Sequence, residues 1–354
     1  MAAVTIYDVA ARADVSIKTV SRVMNNEPNV KTTTRERVLE AAEALGYHPN
    51  LSARSLAGSK SFVIAAFVDA ALTMDHWRSE RGADYLSRIQ LGATSACREA
   101  GYHFMVELID HATPRVRQEV GNLLAALHPD GVLLTPPSAD DAVVLELLAA
   151  TGTPFVRLGP ERSAGGGLRF PVDDYDAAVK MTEHLIGLGH RRIAFILGEP
   201  RYAASRARRE GFEAAMAAHG LSAPQAWVRQ GDFTFASGVE ATEALLASAD
   251  RPTAIFASND DMALGALAAI AEAGLSTPDD ISVAGFDDSS GGRFSRPQLT
   301  TMRQPLVQMA ASATKSLIEG EVAADCDMNV EPGRLPPSEL VVRRSTAPPP
   351  PSKR

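Results

Sequence analysis

Lys18 and Arg22 stand one helical turn apart in VSIKTVSRVMN, residues Val15 to Asn25, among the hydroxyls of Ser16, Thr19 and Ser21. Cations at that spacing can each donate to guanine O6 and N7, and Ile17 beside them can pack on a thymine methyl. Ser16, Thr19, Ser21 and Asn25 suit phosphate or base contacts. Residues 1–60 hold eight Lys/Arg against six Asp/Glu, a net +2, although the whole chain stands at −8. Two readings follow: a small polyanion-binding head on an acidic body, or a solvated amphipathic helix.

The elements around these residues favour the first. Thr5 can cap a helix over Ile6–Arg12, with Asp8 near its positive end and Ile6, Val9, Ala10 and Ala13 on one face. Ala13-Asp14-Val15 reads as a tight turn, since Asp tolerates the left-handed conformation. Ser16 then caps a second helix from Ile17 to about Met24, with Val20, Val23 and Met24 buried. A third runs from about Thr33 to Leu45, with Val38, Leu39, Ala42 and Leu45 at helical spacing, and Gly46 stops it. Two short helices joined by a tight turn form a helix-turn-helix whose second helix lies in the major groove. NLSARSLAGSK (Asn50 to Lys60) is too short for a stable isolated helix. It is either a plain linker or a segment that folds on DNA and drives Leu56 between base pairs in the minor groove.

From Ser61 onward apolar strand-like runs alternate with helix-like segments. The runs are 62–68, 104–108, 131–134, 154–158, 193–197, 227–229, 254–256 and 281–286. This is a doubly wound α/β pattern with parallel sheets, long enough for two lobes. Ligands on such sheets bind beyond the carboxyl ends of the strands. Asp69, Gly159, Asn259 with Asp260, and Asp287 with Asp288 stand at such ends. Gly165-Gly166-Gly167 reads as a flexible loop. Asp173-Asp174-Tyr175-Asp176 reads as an acid-rich helix N-terminus rather than a metal cluster.

Several classes are excluded or disfavoured. No run of about 18 apolar residues predicts a membrane span. The first residues lack a basic segment followed by an apolar core, which argues against a secretory signal and for a cytoplasmic protein. Cys97 and Cys326 match neither a disulfide framework nor a metal pattern. G-x-S-x-G, P-loop, G-x-G-x-x-G and H-E-x-x-H are all missing, so no enzyme, cofactor or metal is expected.

TIYDVA, TVSRVMN, ALGYHPN and ARSLAG, within a continuous match from Val4 to Ser61, resemble the DNA-binding head and hinge of the lactose-repressor/galactose-repressor family. The likeness continues more loosely to about Ser345 through GLGHRRIAFI, IFASNDDMALGALAAI, DISVAGFDD and LTTMRQP. It implies an N-terminal three-helix head plus hinge, then a two-lobed doubly wound α/β effector domain related to periplasmic sugar-binding proteins. The expected boundaries are 1–49 for the head, 50–60 for the hinge, 61–345 for the effector and dimerisation domain, and 346–354 for a disordered proline-rich tail. The first lobe would hold about 61–172 and 302–330, and the second about 173–301 and 331–345. The resemblance implies DNA contacts from Thr5, Tyr7, Ser16, Ile17, Lys18, Thr19, Ser21, Arg22, Asn25, Asn50, Ala53 and Leu56.

It also implies effector contacts. Asp69, Asn259 and Asp287 would bond hydroxyls, Arg208 would hold oxygens bidentately, and Phe233 would stack on a sugar face. Each has a plainer alternative: Arg208 on a solvated helix, Asn259 as a helix cap, Asp287 in a turn, Phe233 in the core. The chain departs from the family at Asp14, where glycine is usual, and at Gly159, where several sugar-binding members carry aspartate. The loop Ala70–Asp84, holding Trp77, is longer than typical. The leucine heptad of tetrameric members is missing, which favours a homodimer on a pseudo-palindromic operator. The function implied is a ligand-responsive repressor of carbohydrate uptake or breakdown genes, released by a sugar-like effector. The alternatives are a periplasmic-type sugar-binding protein and a corepressor-dependent regulator of a non-sugar pathway.

Overall fold

The structure is a computed structural model that describes residues 4–24, 28–47, 60–79, 82, 84–161, 165–323, 327–330 and 335–351. It divides into two units, Met1–Phe62 and Val63–Arg354.

The first unit holds helices α1 (Ile6–Arg12), α2 (Ile17–Met24) and α3 (Thr32–Leu45). The Asp8 carboxylate accepts the Thr5 N–H at 2.8 Å and the Thr5 hydroxyl at 2.7 Å, which fixes the start of α1. The same bonds hold the Asp8 pKa below its ordinary value. Asp14 takes the turn at φ 49°, a left-handed conformation that a short polar side chain tolerates. Ser16 Oγ then accepts the Thr19 N–H at 3.1 Å and starts α2. Val9, Ala10, Ala13, Val20, Val23, Val38, Ala41 and Ala42 form the core, with Ile6, Met24 and Leu45 against it. One expected core position is corrected. Leu39 is 48% exposed, because positions 38, 41, 42 and 45 make the inward stripe of a 3.6-residue helix and 39 falls beside it.

The second unit is built on two parallel sheets. The first runs β11-β5-β4-β3-β1-β2, with β1 Val63–Asp69, β2 His103–Ile109, β3 Gly131–Leu134, β4 Phe155–Leu158, β5 Gly167–Phe170 and β11 Asp327–Asn329. Strands such as VIAAFVD are apolar throughout because helices cover both faces. These helices are α4 (Ala70–Ser79), α5 (Asp84–Ala100), α6 (Val116–Leu127), α7 (Ala142–Thr151) and α13 (Leu306–Ile318). In the second sheet, β7-β6-β8-β9, the strands are β6 Ile193–Leu197, β7 Val228–Gln230, β8 Ala254–Ala257 and β9 Ser282–Ala284. Alternation along β6 sorts its neighbours. Ile193 and Phe195 pack with α8 (Asp174–Gly187) and α9 (Ala203–Ala218). Ala194 and Ile196 pack with α10 (Phe235–Leu246) and α11 (Asp260–Glu272).

The short helix α12 (Ser290–Phe294) follows β9. The chain returns to the first sheet after β10 (Thr301–Arg303), adding α13 and β11, and leaves again to pair β12 (Glu339–Val341) antiparallel to β10.

Three local expectations change. Residues 70–79 are helix α4, not a loop. Gly167 opens strand β5, and a Cβ there would meet Phe155 Cε2 at 2.5 Å, so Gly165–Gly167 serves close packing rather than flexibility. The tail expected to be disordered is docked at its start. Ala347 O accepts from His190 Nε2 at 2.8 Å, and the Ala347 N–H bonds Ser282 Oγ at 3.1 Å.

Helices α5 and α13 approach through Gly92, where a Cβ would lie 2.2 Å from Val307 O. Gly92→Ala should therefore destabilise the protein by about 1–3 kcal/mol. Gly121→Ala, within α6 where nothing lies within 4 Å, should stabilise it by about 0.4–1 kcal/mol. Urea midpoints check both, and equal shifts would show that the α5–α13 crossing is not tight.

Candidate functional site

On the head, Thr5, Tyr7, Ser16, Ile17, Lys18 and Arg22 are exposed, and Thr19 and Ser21 are half-buried. Tyr7 is 67% and Ile17 40% exposed. An outward isoleucine beside Lys18 is available for a thymine methyl. Asn25, Asn50, Ala53 and Leu56 lie outside the described residues.

In the second unit the carboxyl ends of both sheets open on one cleft, as the parallel topology requires. It encloses about 120 Å³ and is lined by all five candidate effector residues, Asp69, Arg208, Phe233, Asn259 and Asp287. Asp69 ends β1, is 3% exposed, and accepts the Tyr202 hydroxyl at 2.8 Å. That contact and its own burial push the Tyr202 pKa up, burial contributing most.

Arg208 is buried rather than solvated. Its Nε and Nη2 each lie 2.8 Å from Asp174 Oδ1, and its guanidinium stacks 3.6 Å from the Phe286 ring centroid. Asp174, in the acid-rich first turn of α8, is thus an ion-pair partner. No three His, Cys, Asp or Glu side chains among the described residues are placed to hold a metal.

Asp287 sits at φ 111° with Oδ1 accepting from Gln304 Nε2 at 2.6 Å. Burial raises its pKa to about 6 against the pull of Arg208. Phe233, at φ 72°, lines the cleft and also belongs to the second-lobe core, edge-on to Tyr202. Strained backbone at both positions is the kind that clusters at ligand clamps. Asn259 is largely committed elsewhere. Its Oδ1 caps α11 through the Met262 N–H at 3.0 Å, and its Nδ2 donates to Phe233 O at 2.9 Å. Its part in the cleft is to hold Phe233.

Gly159 adopts φ +55°, and a Cβ there would meet Val172 Cγ2 at 3.3 Å. An aspartate here would keep a backbone that Asp14 also adopts, and its Cβ would press on Val172. Tyr85, Tyr202, Asp174, Gln304 and His76 also line the cleft, and sequence reasoning singled out none of them as contacts. Gln304 carried a signal as part of LTTMRQP, and Asp174 stood in the acid-rich stretch read as a helix N-terminus.

Ties run from one lobe to the other beside the cleft. Arg201 Nη2 stands 3.6 Å from Asp69. Arg206 Nε donates to Glu161 at 3.0 Å. At the N-terminus of α5, Asp84 accepts the Ser290 N–H and hydroxyl at 3.0 Å. Arg88, one turn on, donates to the backbone carbonyls of Asp287 and Asp288.

One cluster has the connectivity of a nucleophilic triad. His111 Nδ1 lies 2.8 Å from Asp141 and Nε2 2.8 Å from Ser138 Oγ. Ser138 is 0% exposed, so no substrate reaches it, and the chain of bonds ties a turn after β3 to the end of β2.

Comparison with known proteins agrees with this anatomy. Residues 5–50 match the family described as "Bacterial regulatory proteins, lacI family", and residues 182–346 a "Periplasmic binding protein-like domain". Catabolite control protein A of Priestia megaterium is 33% identical over 89% of this chain and 91% of its own. The transcriptional repressor PurR of Haemophilus influenzae is 34% identical over 89% and 90%. Among solved structures, a Lac repressor dimer bound to operator and the anti-inducer ONPF superposes with TM-score 0.77 at 30% identity, covering 98% of this chain and 100% of that one. A CelR–cellobiose complex superposes with TM-score 0.70 at 31% identity, covering 97% and 100%. These relatives are regulators, not enzymes.

Proposed function

Because the chain belongs to the LacI family of bacterial regulators, we propose that this DNA-binding transcriptional regulator is a dimeric repressor of carbohydrate uptake or breakdown genes, released by a sugar-like effector. The observation that carries the effector half is the convergence of Asp69, Arg208, Phe233, Asn259 and Asp287, from five separate segments, on one cleft. The DNA half rests on the outward Ile17, Lys18 and Arg22 of α2, with Leu56 as the minor-groove wedge. Head, hinge and effector domain would divide near 49 and 60. The protein would act in the cytoplasm, where its operator is; no helix among the described residues is long and apolar enough to cross a membrane. Effector and operator affinities are then coupled reciprocally, through differential affinity for two states.

Fluorescence anisotropy on a pseudo-palindromic operator, at fixed salt, with and without mono- and disaccharides, tests this. Release by a sugar is the expected result. Tightening by a ligand would make the protein corepressor-dependent, and failure to bind any DNA would revive a binding-protein role. Arg22→Ala should weaken operator binding by about 1–3 kcal/mol and relax specificity at one base position per half-site. Uniform weakening across all sequences would mark Arg22 as a phosphate contact instead.

A further inference from the structure

We propose that the effector is a single-ring polyhydroxylated molecule without an anionic group, and that helix α4 sets the one-ring limit. This rests on the cleft being the effector site. Size comes first. The roughly 120 Å³ of the cleft falls below the range of about 300–1,000 Å³ for drug-sized ligand pockets, which suits one sugar ring. A disaccharide has about twice the non-hydrogen atoms of one ring and would have to displace a wall. One wall is α4. It follows β1 directly, and Leu72, Thr73, His76 and Trp77 line the cleft. Leu72 packs against the core of the other lobe. His76 sits against Gly82, where a Cβ would meet its ring at 2.6 Å. The helix therefore spans the opening instead of fringing it.

Charge comes second. Apart from Tyr85 and Tyr202, the ionisable lining is Asp69, Asp84, Asp174, Asp261 and Asp287 against Arg208 and His76. Arg208 is already neutralised by Asp174, at 2.8 Å from both Nε and Nη2. Burial favours the neutral His76 ring, with Asp75 and the Phe233 carbonyl opposing. A phosphate or carboxylate entering this space would meet several carboxylates and, among the described residues, no cation without a carboxylate partner. Hydroxyl or ammonium hydrogens would meet acceptors at Asp69 and Asp287. Anions in such a site are disfavoured by like-charge contact and desolvation together.

The test uses the full chain, thermal denaturation and operator anisotropy. The probes are ribose, xylose, arabinose, glucose, galactose, mannose and glucosamine, with glucose 6-phosphate, ribose 5-phosphate, glucuronate, galacturonate, cellobiose and lactose. The expected result is that one uncharged or amino monosaccharide raises Tm by about 2–5 °C and releases operator, while the anionic and two-ring probes do neither. Leu72→Ala, which thins the α4 wall, should then improve binding of the disaccharide containing that sugar by about tenfold or more. A phosphosugar or uronate that raises Tm overturns the charge assignment, and a disaccharide that binds the unaltered protein overturns the size limit. In both cases release of operator leaves the regulator reading standing. Silence from every probe overturns this inference and the sugar-response reading with it, while operator binding is scored separately. A Leu72→Ala protein that folds and gains no disaccharide binding overturns the role of α4.

Discussion

Replacing Arg208 with methionine is expected to abolish release of operator by the effector while operator affinity without effector stays unchanged. Arg208 is 5% exposed and its partner Asp174 8% exposed. Removing the guanidinium leaves a buried carboxylate uncompensated, which costs about 3–5 kcal/mol. Loss of response could then reflect a collapsed cleft and not a missing contact. A second variant separates the two. In Arg208→Met/Asp174→Leu both charges go, and apolar replacement of a buried pair is near neutral or stabilising. The double variant should recover most of the lost Tm and still fail to respond. A single variant that responds normally removes Arg208 from the effector contacts. A double variant that regains the response shows that the ion pair was structural. Operator anisotropy and thermal melts on the same samples read both.

The parts of this molecule that were legible in its sequence are the local ones. Helices α1 to α3 declare themselves through caps at Thr5 and Ser16 and a stop at Gly46, each set within a few residues. Leu39 was misplaced because one position along a helix turns a side chain by about 100°, and an apolar residue at the edge of a stripe reads as part of it. Buried strands were visible as apolar runs, even short ones such as β3 and β8. Strands β5, β10, β11 and β12 were not, being polar in part. Helix α4 has no fully buried residue, only a half-buried face through Leu72, Thr73 and His76, so its 3.6-residue pattern is weak.

The cleft shows the same division. Residues at strand ends were reachable from topology, which is why Asp69 and Asp287 could be placed there. Their partners were not. Arg208 pairs with Asp174 across 34 positions, and Tyr202 with Asp69 across 133. Pairings of that kind exist only once the lobes have formed. Asn259 was ambiguous between cap and ligand because the same chemistry serves both, and only its two bonds, to Met262 and Phe233, assign it.

Asp260 carries the second large effect, on the stability of the fold against pH. It lies in the first turn of α11, 1% exposed. Its Oδ2 accepts the Ser289 N–H at 2.6 Å, and its Oδ1 lies 2.6 Å from Thr301 Oγ1. Burial, helped by the negative charge of Asp287, raises its pKa from 3.8 to about 8, while Thr301 and Ser289 pull the other way. A group whose folded pKa is raised stabilises fully below its unfolded pKa and loses that contribution as pH climbs through the folded one. The window therefore runs from about pH 4 to about pH 8. Asp287, raised to about 6, adds a slope of the same sign in the lower half.

His184 and His190, held down by burial, slope the opposite way: they lose stability as pH falls below 6.5. Asp288 is held at about 2. Burial opposes that shift, and the guanidiniums of Arg293, Arg343 and Arg303 outweigh it. Its contribution is lost only in strong acid. A melt of the unaltered protein sums all of these, but its difference from Asp260→Asn isolates one. The amide keeps the shape and the acceptor for Ser289, and offers Thr301 a donor. The two proteins should coincide near pH 4 and diverge upward, the variant gaining roughly 1.4 kcal/mol per pH unit. The positive end of α11 favours the charged form by up to about 2 kcal/mol, which trims the total gain to a few kcal/mol at pH 8. Parallel curves across that window would mean that Asp260 is ionised in the fold, held there by Thr301, Ser289 and the helix dipole against its burial.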